Sequence, residues 1–223
     1  MSVEPLNALL VLTNFVIVPG MAYGSQLALG ALGETLVYAV LRFSNFAHGD
    51  LMAFGTMATI LFTWWLQALG VGIGPLPAAL LALPARDFKT MTGFDEGVAL
   101  RTTQGLTVVV AIVVVIALFL FLNRSRMGKA MRAYSDNEDL ALLSGIDPNR
   151  VVMVTWIIAA ALATLAGVLY GLDKSFKPFT YFQLLLPIFA AAFVGGIGNP
   201  VGAIAGGFII AFSELTVTYA YKR

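Results

Sequence analysis

The chain has 223 residues, 59% of them hydrophobic and only 11% charged. Soluble domains carry about 25% charged residues, so this composition is that of an integral membrane protein. A net charge of +1 offers no basic surface for phosphates, which excludes nucleic acid as a partner, and the lack of Cys with a single His excludes disulfides, thiolate chemistry and a multi-His metal site.

The N-terminal MSVEPLNALLVLTN holds Glu4 and no basic residue ahead of its apolar run. A cleaved signal peptide starts with Lys or Arg, so the first helix is expected to be retained. A bilayer core of about 30 Å takes roughly 20 apolar residues as a helix. Residues 6–41 run longer than that and are interrupted by Pro19, Gly20, Gly24, Gly30 and Gly33. They fit one span plus a broken second helix, or one long kinked element. Glu34 lies in this run, within LGALGETLVYAV. An acid at membrane depth is a functional candidate, although Glu34 could also sit at an interface.

SNFAHGD (44–50) places Ser44 or Asn45 as N-cap of a helix starting near Phe46, with Asp50 in its first turns. Such a start is either a tightly packed helix beginning or a helix broken inside the membrane, its N-terminus facing a translocation path. His48 could titrate there, but a lone His more often serves in packing. Residues 51–70 form a clean span with Trp64 and Trp65 as interfacial anchors near one end. Residues 75–85 are too short to cross, and 86–105 read as a polar extramembrane loop.

The next span, 107–123, ends in NRSRMGKAMR. Arg124, Arg126, Lys129 and Arg132 beside the membrane mark this loop as cytoplasmic. Within it, Ser135 and Glu138 have the spacing of a capping box, and Asp136, Glu138 and Asp139 put negative charge on a first turn. Gly145 is placed for a left-handed C′ residue, with Pro148 soon after. The pattern predicts a short helix over 136–144 with an apolar surface around Leu140 and Leu143. Alone in water it is too short to persist. It needs its own bundle, the lipid headgroups or a cytoplasmic partner to lean on.

Residues 151–172 return outward, leaving DKSFKPFTYFQ (173–183) outside; its two lysines weigh mildly against that orientation but are outvoted by the basic cluster. Residues 184–197 are short for a crossing, about 21 Å of helix. GIGNPVG then leads into a last span over 201–219. Gly198, Gly202 and Gly206, at spacing four, are expected to share a helix face and let another backbone approach. Asn199 marks a second interruption resembling the one at Asn45, as an internally repeated transporter would show. Glu214, in AFSELTV, is the second acid in apolar surroundings. The expected architecture is all-α: one polytopic transmembrane helical bundle over 1–223, with discontinuous helices, five to seven membrane elements and a cytoplasmic loop over 124–150.

RMGKAMRAYSDNEDLALLSGIDPNRV resembles the cytoplasmic loop of branched-chain amino acid permeases of the ATP-binding-cassette importer class, and SNFAHGDLMAFG (44–55), AGVLYG (166–171) and FAAAFVGGIGNPVGAIAGG (189–207) resemble the same family. The resemblance implies a membrane-spanning importer subunit of a bacterial or archaeal cytoplasmic membrane. Its loop would carry a coupling helix docking an ATPase through Glu138, Asp139, Leu140, Leu143, Gly145 and Ile146. Asn45, His48, Asp50, Glu34, Asn199 and Glu214 are the candidates for the translocation path. Partners would be ATP-binding-cassette ATPases, a second permease subunit, identical or homologous, an extracytoplasmic substrate-binding protein and membrane lipid. Such permeases are usually longer, with a further membrane segment near 84–90 and at least one beyond the position of Glu214; Glu34 occupies a position not expected to be acidic. GxxxxGK[ST] is absent, so no enzymatic or cofactor role is expected of this chain, with ATP and Mg on the partner subunits. Substrates could be branched-chain or other neutral amino acids, or amides or urea. An ion-coupled secondary transporter would need paired intramembrane charges, for which only Glu34, Asp50 and Glu214 are available.

Overall fold

A computed structural model describes residues 12–70, 102–174 and 176–221. Expectations for the N-terminal Glu4, for 75–85 and for the loop up to residue 101 lie outside the described residues. The apolar runs form helices because a backbone in lipid has no water to bond and must satisfy its own N–H and C=O groups.

The first run is one continuous element: a π-helical turn, Thr13–Ile17, passes directly into α1, Val18–Leu41. Pro19 lies just after the π-helical turn, and the helix runs on through it. The Gly-rich stretch therefore does not break the helix. It thins it, and α1 is buried on nearly every side at the centre of the bundle. α2, His48–Ala68, carries exposed Trp64 and Trp65 near its end. α3, Thr102–Arg124, begins inside the stretch expected to be loop. α4, Arg126–Asp136, and the short α5, Glu138–Leu143, follow. α6 is Pro148–Asp173, α7 Pro178–Gly195 and α8 Pro200–Tyr221. No strand occurs among the described residues.

Five elements are long and apolar enough to span a membrane: Thr13–Leu41, His48–Ala68, Thr103–Arg124, Pro148–Asp173 and Pro200–Tyr221. α7 is a shorter apolar helix that begins inside the loop expected over 173–183: helix formation starts at Pro178, and Tyr181 is fully buried. Direction follows from close approaches. A Cβ on Gly20 would meet the Phe212 ring, one on Gly24 the Phe208 ring, and one on Gly207 the Ala28 backbone, so α1 and α8 are antiparallel. Gln26 Nε2 donates to the Leu169 carbonyl and Gly33 lies against the Ala159 carbonyl, so α1 and α6 are antiparallel too.

α7 and α8 make the tightest helix pair. A Cβ on Gly202 would lie 1.7 Å from the Gly195 carbonyl oxygen, and one on Gly206 would lie 2.0 Å from that of Ala191. Gly202 and Gly206 thus form a contact face, as their spacing implied. Gly198 is not on it: it belongs to the connection 196–199, with φ +82°, because α8 starts only at Pro200.

Candidate functional site

Two places collect the candidate residues. The first is the basic segment between α3 and α6. Ser125 caps α4, its hydroxyl oxygen accepting from the Gly128 N–H at 2.8 Å. α4 is amphipathic, with Met131 and Tyr134 buried and Arg126, Lys129 and Arg132 exposed. The expected capping box does not form. Ser135 is helical within α4, so its backbone cannot adopt the extended cap geometry; Asn137 does (φ −154°, ψ 108°), and its side-chain oxygen accepts from the Leu140 N–H at 3.0 Å. Glu138 bonds elsewhere: the Tyr134 hydroxyl donates to its Oε1 at 2.6 Å. That hydrogen bond, with burial and the carboxylate's charge, pushes the Tyr134 phenol above its usual range and keeps it a donor.

The helix expected over 136–144 is therefore two elements joined at Asn137. α5 ends as its sequence implied. Gly145 is left-handed (φ 80°), its N–H reaches the Leu142 carbonyl at 3.0 Å, and the Ile146 N–H reaches that of Ala141 at 3.1 Å. This pair of bonds is a Schellman motif. Only Ala141 of α5 is buried. Leu143 is 85% exposed and Leu140 61%. Glu138, Asp139 and Gly145 share that exposure, while Ile146 turns inward against the buried cluster. Arg42, left-handed at the end of α1 (φ 59°), donates its guanidinium to the Ser135 carbonyl and ties α1 to the end of α4.

The second place is the connection between α1 and α2. Asn45 is not the helix N-cap; α2 starts at His48, two residues later than expected, because Asn45 Oδ1 accepts from the Ala47 N–H in a turn ahead of it. The Asn45 N–H donates to Glu34 Oε1 at 2.6 Å, and Glu34 Oε2 lies 3.7 Å from His48 Nδ1. Glu34 is 2% exposed and His48 0%. So the structure gathers Glu34, Asn45 and His48 into one buried cluster. Gly33 makes room for it: a Cβ there would stand 2.9 Å from the imidazole. Asp50 is exposed on the first turn of α2. Asn199 caps α8, accepting from the Val201 and Gly202 N–H groups at 3.1 and 3.2 Å. Glu214 accepts from the Tyr23 hydroxyl at 3.1 Å, on a different stretch of α1 from Glu34. The six candidates are not one site.

Tyr23, Tyr170, Tyr181 and Asn137 escaped the sequence reading. Tyr23, Tyr170 and Tyr181 form an aromatic chain, with ring centroids 6.4 and 6.3 Å apart. Their separation in sequence leaves no local signal. Asn137 could have been recognised as a cap, but the Ser135–Glu138 spacing masked it. Among the described residues no group of His, Cys, Asp and Glu could hold a metal ion.

Five spanning helices, the first of them buried among its neighbours, with a short capped helix beyond them, define a multi-pass membrane protein. The family described as "Branched-chain amino acid transport system / permease component" matches residues 83–223, and the chain belongs to it. The high-affinity branched-chain amino acid transport system permease protein LivH of Escherichia coli K12 is 28% identical over 254 aligned positions, covering 87% of this chain and 82% of that protein. BraD of Pseudomonas aeruginosa, a permease protein of the same description, is 27% identical, covering 89% and 84%. A probable branched-chain amino acid transport permease of Methanocaldococcus jannaschii is 37% identical over 114 positions, covering 51% and 36%. No solved structure matches the chain at a significant level.

Proposed function

We propose that this chain is the membrane-spanning subunit of an ATP-binding-cassette importer for branched-chain or other neutral amino acids, in a bacterial or archaeal cytoplasmic membrane. It pairs with a second permease subunit, receives substrate from an extracytoplasmic binding protein, and draws its energy from ATP and Mg held by partner ATPases. The observation that carries the reading is α5. Six residues with both ends capped and three exposed leucines, Leu140, Leu142 and Leu143, form a compact knob beyond the spanning helices. Exposed large apolar side chains there suit a partner groove. Substrate class follows the names of the permeases matched over most of the chain.

In this reading ATPase closure moves α5, α4 passes the motion to α1 through Arg42 and Ser135, and the bundle alternates access. Glu34, Asn45 and His48 hold the α1–α2 connection beside that path.

The test is co-purification from native membrane in mild detergent. Stoichiometric ATP-binding-cassette ATPases should accompany the chain. Gly145→Arg, which forces a bulky side chain into left-handed backbone, and Leu143→Asp, which charges the knob, should each lose them while still inserting. Normal association by both variants would overturn the docking assignment. Uptake of labelled leucine, with amides and urea as competitors, tests the substrate class.

A further inference from the structure

A cavity of about 300 Å³ opens on the basic end of the bundle, between α1, α3, α4 and the 196–199 connection. That volume lies at the lower end of the range that holds small molecules, about 300–1,000 Å³. Its inner wall is apolar: Leu36, Ala39 and Val40 from α1, Phe119 and Leu122 from α3, and Met131 from α4. Its rim is polar, with Asn123, Arg132, Ser135 and Asp136.

The two charges on the rim carry the argument. Arg132 and Asp136 stand four residues apart on α4, a spacing at which opposite charges ordinarily meet. They do not meet: among the described residues neither belongs to an ion pair, and Arg132 Nη1 donates instead across to Asn123 Oδ1 at 2.9 Å. Asp136 is the exposed last residue of α4, one position before the Asn137 cap of α5. A separated guanidinium and carboxylate above an apolar pocket complement a small zwitterion with an aliphatic side chain. A carboxylate would take the free Arg132 donors, an ammonium Asp136, and the side chain the Leu36–Val40 wall.

We infer that this cavity is a binding site for a free aliphatic α-amino acid on the cytoplasmic side, and that its occupation pins α4 to α1 and slows transport as product accumulates. The choice of ligand rests on the amino-acid permease reading above. The effect on transport follows from position: α4 leads directly into α5, so a ligand bridging α4 to α1 stabilises the arrangement it binds.

The experiment is equilibrium binding of labelled L-leucine to the detergent-purified permease–ATPase complex without its binding protein. We expect saturable binding, weakened about tenfold or more by Arg132→Gln and by Asp136→Asn, the loss of one charge-assisted contact each. Absence of saturable binding, binding indifferent to both substitutions, or displacement by short-chain phosphatidylglycerol but not by isoleucine would overturn the site; the last would make it a lipid pocket. In vesicles of the whole transporter, leucine on the ATPase side should lower the initial rate of ATP-driven uptake severalfold, and unchanged rates would overturn the feedback role. Failure of the permease reading is distinguishable: no ATPase would co-purify and ATP-driven uptake would be absent even from leucine-free vesicles, whereas failure of the site alone leaves the complex and its uptake intact and removes only the binding that depends on Arg132 and Asp136.

Discussion

Glu34 shows what a single buried acid can do to a membrane protein. Its Oε1 satisfies the Asn45 N–H, a backbone donor that has no water to turn to, and its second oxygen faces His48. Removing one partner of a buried hydrogen bond leaves the other with its full desolvation cost, about 1–3 kcal/mol. Glu34→Ala should therefore lower the thermal stability of the detergent-solubilised protein, and Glu34→Gln, which keeps an acceptor oxygen, should lower it much less. Equal loss in both would show that charge, not the hydrogen bond, holds the connection. The acid itself was legible in the sequence as an ionisable group in an apolar run. Its partners were not, because Asn45 reaches it only after the chain reverses beyond Arg42.

Among the elements, α5 and the α7–α8 pair separate two kinds of local rule. Caps depend on which residue takes extended backbone, and that is decided by where the preceding helix stops. Asn137→Ala should cost about 1 kcal/mol and loosen ATPase association, whereas Ser135→Ala should be silent; the ordering is read from co-purification yield. Glycines in a small-residue run likewise act for different reasons. Gly202→Val drives a side chain into the Gly195 carbonyl, backbone against backbone, and should prevent accumulation of folded protein. Gly198→Ala meets only the Ala39 Cβ at 4.0 Å and pays for its left-handed backbone alone, about 1–2 kcal/mol. Comparing the two by detergent size-exclusion profile tests whether the face begins at Gly202. Spacing put Gly198 on that face, but spacing counts residues from a helix start that only the Asn199 cap defines.

At the scale of the whole molecule, the basic cluster after α3 predicts the orientation. The chain has no Cys, so single cysteines report topology without background. Ser144→Cys should react with a membrane-impermeant maleimide only from the cytoplasm, and Leu69→Cys only from outside; the reverse pattern would invert the assignment. The bundle is organised around α1, whose small residues admit α6, α7 and α8 closely enough that Ile188, Phe208 and Phe212 lie against its glycines. A helix so enclosed has little lipid face, which is why its Gly-rich run can tolerate a buried Gln26 and Glu34.

By itself the sequence determined the class of protein, its all-α membrane character, the basic end, the left-handed stop at Gly145 and the family motifs. Each depends on composition or on neighbours within a few residues, and hydropathy in a bilayer acts locally. Only the tertiary structure decided that residues 13–41 form one unbroken span, that Glu34 meets His48, that Asn137 rather than Ser135 caps α5, and that Arg132 and Asp136 remain apart over a cavity. Those outcomes depend on groups brought together from distant helices, where the competition for each buried donor and acceptor is settled by packing.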